Sequence, residues 1–342
     1  MIDLLVAGGG PAGLATAIHA ARAGLEVVVA EPRPTPVDKA CGEGLMPGAV
    51  EALRRIEVDV QGRPFRGIRY LEAAGSRSAE AEFRAGPGLG VRRTALHTAL
   101  ADRAAELGVR VLPVPIRSFE QRRDSVVAAG LTARHLVAAD GLHSAARRAL
   151  GLHRPPAPGR AARYGLRRHY ALAPWTDLVE VYWSASSEAY VTPLGPELVG
   201  VALLTGDRAP FDRQLADFPL LAARLAGARP CTPVRGAGPL RQRAAARSDG
   251  RVLLVGDAAG YLDALTGEGV SVALASAEAV VRCLAAGRPQ EYERAWRRAS
   301  RGYRMLTGAL LWAREQPALA AGIVPAAARL PAVFRAGVNL LA

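Results

Sequence analysis

The chain opens on Ile2-Asp3-Leu4-Leu5-Val6-Ala7, continues through Gly8-Gly9-Gly10-Pro11-Ala12-Gly13, and runs on from Leu14 to Ala23. An apolar run, a glycine turn and an alanine-rich segment predict a strand-turn-helix unit. Such a turn presents backbone N–H groups and the positive end of the helix to a pyrophosphate. The three glycines have separate steric reasons: Gly8 for the tight turn, Gly10 for close approach of a phosphate to the backbone, and Gly13 for packing the helix on the strand. A second apolar run, Glu26 to Ala30, ends at Glu31, 18 residues after Gly13, where a carboxylate accepts from ribose hydroxyls. The stretch therefore predicts a dinucleotide site built from Gly8, Gly10, Pro11, Ala12, Gly13 and Glu31.

Working outward, 342 residues that are 50% hydrophobic suffice for a sizeable core in one large α/β domain with an insertion, or in two modest domains. Three widely spaced cysteines, Cys41, Cys231 and Cys283, form neither a disulfide framework nor a zinc pattern, so no metal site is expected. A strand starting at residue 2 leaves no room for a secretory leader, and no later run reaches membrane-span length without Arg or Pro. A cytoplasmic location is expected. The net charge of +13 comes from arginines scattered along the chain, without the basic run and interleaved aromatics of a nucleic-acid binder, so no nucleic-acid partner is expected. Of the 44 basic residues only Lys39 is lysine. Either codon usage spared it or its position needs a compact ammonium where a planar guanidinium does not fit.

After a Pro-broken loop comes Lys39-Ala40-Cys41-Gly42-Glu43-Gly44-Leu45-Met46-Pro47, which leads into a short helix from Gly48 to Ile56. Extended segments are predicted at Phe65 to Glu72 and Ala79 to Arg84, a helix over Arg92 to Leu107, and a return to the parallel sheet through Val109 to Val114. Strands near Ser125 to Ala129 and His135 to Ala138 lead to Asp140-Gly141, and Pro155, Pro156, Pro158 and Gly159 mark a boundary. Beyond it the texture becomes antiparallel: Tyr164 to Leu172, Leu178 to Trp183, Glu188 to Thr192, Leu198 to Leu204, then a helix near Phe211 to Ala226. Arg251 to Val255 re-enters a buried parallel strand, followed by a long helix from Gly269 to Ala286. The expected fold is α/β, with a discontinuous Rossmann-like domain (1–62, 89–158, 248–300), an inserted antiparallel-sheet substrate domain (63–88, 159–247), and C-terminal helices (301–342) broken at Pro317, Pro325 and Pro331.

The strand at Val252 to Val255 runs into Gly256-Asp257-Ala258-Ala259-Gly260, and Thr266-Gly267-Glu268-Gly269 opens the long helix. An aspartate at a strand end accepts from a polyol, and a glycine-rich helix N-terminus stabilises anionic charge on a reduced flavin ring; together they point to FAD. Gly8 to Gly13 with Glu31, Arg93 in Arg-Thr-Ala-Leu, Asp140-Gly141 and Gly256-Asp257 resemble, in order, the motifs of the para-hydroxybenzoate-hydroxylase-like (group A) flavoproteins. The resemblance covers residues 2 to about 285. Lys39 to Pro47 and Gly256 through Gly269 look closer to the geranylgeranyl-reductase-like branch, although Ala264 stands where that branch has proline. The paired-tryptophan motif of flavin halogenases is missing around Trp175 and Trp183.

The resemblance implies non-covalent FAD held by the residues above with Lys39, Cys41, Gly42, Arg93, Asp140, Gly256, Asp257, Gly267, Glu268 and Gly269. It also implies NAD(P)H as a transient reductant, since Gly236-Ala237-Gly238 does not make a second dinucleotide unit. Tyr190 and Pro193, on Glu188-Ala189-Tyr190-Val191-Thr192-Pro193, are implied neighbours of the ring or substrate. Cys41, Glu43, His169 and Tyr182 are further candidates for proton transfer. The expected activity is a monooxygenase that hydroxylates or epoxidises a hydrophobic small molecule of aromatic-polyketide or isoprenoid type. A reductase of isoprenoid double bonds is the first alternative, and a non-redox flavin-binding cyclase the second. The tail from Tyr303 is either a helical lid on the protein's own core or an element touching a membrane surface, and the oligomeric state is left open.

Overall fold

The computed structural model describes residues 1–75, 77–156 and 161–340; the boundary expected at Pro158 and Gly159 lies outside them. Strand Ile2–Ala7, buried along nearly its whole length, is the centre of the first sheet. Val27–Ala30 pairs parallel to one side of it and Leu131–Ala138 to the other. Arg110–Leu112 extends the first side and Val252–Leu254 the second, both parallel. The chain therefore reverses direction of travel across the sheet beside its first strand, and the crevice at that switch point is where a doubly wound sheet binds its ligand. All-apolar strands such as Val27–Ala30 suit a sheet covered on both faces. The helices Pro11–Arg22 and Gly269–Ala285 cover it, with Leu14, Ile18, Ala277 and Val280 fully or almost fully buried.

The second sheet is antiparallel through Tyr164–Ala171, Leu198–Thr205, Glu188–Gly195 and Leu178–Trp183. Gly67–Glu72 then joins it parallel to Leu178–Trp183, and Ser78–Glu82 forms the edge beside Gly67–Glu72. Two sequence expectations need correction. The single helix near Phe211 to Ala226 is two, Phe211–Leu215 and Pro219–Arg224, because Pro219 can only open a helix. Pro317 and Pro331 likewise open helices, whereas Pro325 breaks nothing: it lies in the first turn of Ile323–Arg329, where no backbone donor is missed.

One side chain ties the two halves of the nucleotide sheet to the chain returning from the second sheet. Arg147 is fully buried and donates to the carbonyls of Asp257 (3.1 Å), Ala258 (2.9 Å) and Leu142 (2.8 Å) and to Gln242 Oε1 (2.8 Å). Burial lowers its pKa, and the four acceptors compensate the desolvated charge. Arg147→Met should leave those acceptors without a donor and cost about 3 kcal/mol of stability, read as a lower midpoint in urea unfolding; an unchanged midpoint would remove this role.

Candidate active site

The glycine turn meets its steric expectations atom by atom. Gly8 has φ +106°, and a Cβ there would lie 2.6 Å from the Ala139 carbonyl oxygen. A Cβ on Gly13 would lie 1.8 Å from the Gly8 carbonyl oxygen. At Gly10 the space is open instead, and the nearest group is the Arg93 guanidinium at 3.9 Å. No side chain caps the helix that begins at Pro11, so its first N–H groups face the opening. Gly256, at φ +58°, packs its backbone against Ala12.

Around this turn most of the candidate cofactor residues line one cavity of about 700 Å³, among them Gly8, Gly10, Arg93, Asp140, Asp257 and Gly267, whereas Gly13, Glu31, Gly256 and Glu268 are not part of its lining. Arg93 Nε and Asp140 Oδ1 are buried there without hydrogen-bond partners, while Asp140 Oδ2 caps Ala146 N–H at 3.0 Å. A buried guanidinium nitrogen and a carboxylate oxygen left open beside bare helix N–H groups fit a pyrophosphate and a polyol, so these residues suit FAD. His97, one turn beyond Arg93, is also buried with both ring nitrogens unpartnered, and burial lowers its pKa. It does not line the cavity.

Glu31 is more occupied than its motif suggests. Its Oε2 accepts from Gly9 N–H (2.9 Å), and Arg33 donates to both oxygens (2.8 and 2.9 Å). Burial works to raise its pKa, but these bonds outweigh it and hold the carboxyl below its ordinary value. Lys39 Nζ lies 3.1 Å from Asp257 Oδ2, which joins the Lys39 to Pro47 loop to the segment just after the Val252–Leu254 strand. The lone lysine thus has a compact partner 218 residues away.

The candidate proton-transfer groups separate into three environments. Glu43 adopts φ +60°, unusual for a non-glycine residue, and is buried. Its Oε1 accepts from Arg93 N–H at 2.7 Å, and its Oε2 meets Nε2 of the fully buried His169, whose Nδ1 lies 2.8 Å from Thr232 Oγ1. Glu43 lines the cavity and His169 lies behind it. Cys41 also lines the cavity, and burial raises its thiol pKa, so it holds its proton at neutral pH. Tyr190 borders the cavity too and donates to the Leu265 carbonyl at 2.8 Å. Burial keeps that phenol well above its usual pKa. Tyr182 is a correction: strand alternation puts Val179 and Val181 on the cavity wall and turns Tyr182 to the other face, where it donates to Glu180 at 2.6 Å.

Gly42 is fixed by Thr192, which donates to its carbonyl at 2.8 Å. At the opposite wall Gly267 has φ +72° and Gly269 begins the long helix. Between them Glu268 is buried, its Oε2 has no partner, and burial pushes its pKa up to about 8. The cavity ends on the tail: Leu306, Leu310, Phe334 and Val338 line it. The tail was expected to be lid or surface element, and its inner side is a wall of the cavity.

Comparisons with known proteins agree with this geometry. The family described as FAD binding domain matches residues 1–196. A menaquinone reductase of Mycolicibacterium smegmatis is 30% identical over 341 residues, covering 86% of this chain and 79% of the relative. A menaquinone reductase of Mycobacterium tuberculosis is 31% identical over 304 residues, covering 80% and 74%. Among solved structures, a flavoprotein/dehydrogenase from Cytophaga hutchinsonii superposes with a TM-score of 0.84 at 20% identity, covering 99% of this chain and 92% of that one. The flavin-dependent brominase Bmp2 superposes at 0.81 with 17% identity, covering 100% and 94%. At those identities the two structures speak for the fold alone.

Two outcomes follow. Arg93→Met should weaken FAD binding by roughly tenfold or more in a fluorescence titration while the far-UV spectrum stays unchanged; unchanged affinity would place Arg93 outside the site. Glu268, with a folded pKa raised from 4.5 to about 8, binds more protons folded than unfolded between those values. Its ionisation therefore removes stability as pH rises through that window, and the loss is complete above it. Glu268→Gln should flatten the fall of Tm between pH 5 and 8 relative to the unsubstituted protein; parallel curves would contradict the assignment.

Proposed function

This chain belongs to the FAD binding domain family, within the para-hydroxybenzoate-hydroxylase-like flavoenzymes, and as one of those FAD-dependent oxidoreductases we propose that it is a reductase. Its proposed substrate is a hydrophobic small molecule with an isoprenoid double bond, and its proposed reductant a transiently bound NAD(P)H. The reading takes the reductase, the first alternative to the monooxygenase that the sequence favours. The observation that carries it is the cavity's own chemistry. Its wall away from the glycine turn is apolar, with Ile68, Val179, Val181, Leu203 and Leu310, and the Cys41 thiol keeps its proton beside the turn-side residues. The likeness to two menaquinone reductases, each spanning about four-fifths of this chain, supports the same choice.

When bound, FAD supplies hydride. The chain's residues supply the rest. Gly10, Arg93 and the Pro11 helix end would hold its pyrophosphate, and Asp140 and Asp257 would take its polyol. The Lys39 to Pro47 loop is anchored by the Lys39–Asp257 pair and the Thr192–Gly42 bond, which position Cys41. Reduction of a carbon–carbon double bond adds hydride to one carbon and a proton to its neighbour. Cys41 Sγ holds such a proton and accepts only a weak contact from Glu43 N–H at 3.4 Å, so its S–H is uncommitted by that bond. Tyr190 spends its O–H on Leu265 and serves to position the loop. The apolar wall and the tail exclude water from the reacting carbons.

The test is anaerobic. Photoreduced enzyme mixed with a short-chain menaquinone should reoxidise without oxygen and with matching saturation of a side-chain double bond, read by mass after reoxidation of any quinol, and Cys41→Ala should slow that step by roughly a hundredfold without changing FAD affinity; formation of quinol alone would overturn the reading. Reoxidation that requires oxygen and inserts an oxygen atom into the substrate would return the monooxygenase reading.

A further inference from the structure

The tail has two sides, and only the inner one has a partner. Helix Pro331–Asn339 turns Phe334 onto Tyr70, with ring centroids 4.7 Å apart, and buries Val338. Val333, Ala336 and Leu340 recur along it at three- and four-residue intervals, and all three are exposed. Among the described residues nine large hydrophobic side chains are exposed, and six lie between residues 305 and 340: Met305, Trp312, Leu319, Leu330, Val333 and Leu340. Exposed apolar residues scattered singly need no explanation, but such a concentration in one short segment does.

We infer that this outer side of the tail docks on the surface of an anionic lipid bilayer, so that the cavity opens beside the membrane. Charge selects that occupant. From residue 316 to 340 the only charged side chains are Arg329 and Arg335, both exposed, and Arg84 stands exposed next to them with its N–H bonded to Asn339 Oδ1 at 2.7 Å. The nearest carboxylates on the adjoining edge strand, Glu80 and Glu82, are paired with Arg66 and Arg69. Between residues 316 and 340 the exposed large apolar side chains Leu319, Leu330, Val333 and Leu340 stand with Arg329 and Arg335 and without a carboxylate, which is the composition of an interfacial element.

The shape of the tail suits a surface-lying element: Ala318–Arg329 and Pro331–Asn339 together have the length and apolar composition of a span only as a sharply bent pair. Among the described residues no single helix is long and apolar enough to span, and the segments Ala318–Arg329 and Pro331–Asn339 meet at a bend of 100°. The last helix has 9 residues, about 14 Å at 1.5 Å per residue, against a hydrocarbon core of about 30 Å. Val333 is both exposed and on the cavity wall, so a lipid-dissolved molecule reaches the cavity past the same helix that would rest on the lipid. This inference deepens the proposed function and rests on it only for the nature of the cargo.

The test uses the full chain with FAD bound, floated with vesicles of mixed phosphatidylglycerol and phosphatidylcholine or of phosphatidylcholine alone, without quinone or reductant. The expected result is co-flotation with the anionic vesicles, weakened by salt and much weaker on phosphatidylcholine. Arg329→Gln and Arg335→Gln should each lower partitioning roughly fivefold. The pair Leu319→Glu and Leu330→Glu, which line no part of the cavity, should lower it roughly tenfold or more while FAD content and turnover of a water-soluble short-chain quinone stay unchanged. No flotation with either vesicle would overturn the inference. So would concentration-dependent dimerisation abolished by the leucine substitutions, which would assign the surface to a second copy of the chain. Because the flotation contains no substrate, its failure leaves the reductase reading standing, and failed reduction in detergent leaves the docking standing.

Discussion

A guanidinium in the dry centre of a fold is affordable only where the chain brings enough acceptors to it, and Arg147 has four, from three separate stretches. Those stretches are the loop after Asp140, the loop after Gly256, and Gln242 on the segment that returns from the second sheet. Since Asp140 and Asp257 flank the same cavity, the spacing of the two carboxylates that face it is set by a residue that does not line it. The close approach of Gly8 to Ala139 and of Gly13 to Gly8 then places the phosphate turn against the same junction. The turn-side end of the cavity is held together by three loops that share one buried hub.

How much of this was legible depended on sequence distance. Local patterns read well: the first strand, the Pro11–Arg22 helix, the four antiparallel strands and the long helix from Gly269 fall within a few residues of their expected places. Each is specified by its own periodicity and its own turn residues. The helix expected over Phe211 to Ala226 failed for a local reason as well, since Pro219 interrupts the apolar pattern and opens a second helix there.

Long-range pairing was not legible. The residue types around the cavity were named in advance, but their roles depend on partners that no spacing reveals. His169 and Glu43 meet across 126 positions, and Lys39 and Asp257 across 218. The sequence raised a lone lysine as a question, and only the fold shows a carboxylate waiting for it. Tyr182 and Val181 differ by one position and therefore by a whole face of the sheet, so a strand located to within one residue still leaves the identity of its inward residues undecided.

The tail shows how the same logic extends to the far wall. Arg314 places Nε 2.6 Å from Glu188 Oε1, while Arg163 donates to Glu188 and, at 2.9 Å, to Asp263. Tyr303 accepts from Leu262 N–H and donates to the Asp263 carbonyl, and Thr307 bonds Thr266 at 2.8 Å. Two arginines and two carboxylates, all buried or nearly so, are costly to desolvate unless each finds an opposite charge, and here each does. The helix Arg301–Glu315 therefore grips the loop that carries Thr266 and Gly267, and that loop also receives the Tyr190 hydroxyl through Leu265. The position of the glycine-rich edge facing the cavity is thus set jointly by the second sheet and by the tail. A segment that looks like an appendage in sequence is part of the scaffold that shapes the far wall of the cavity.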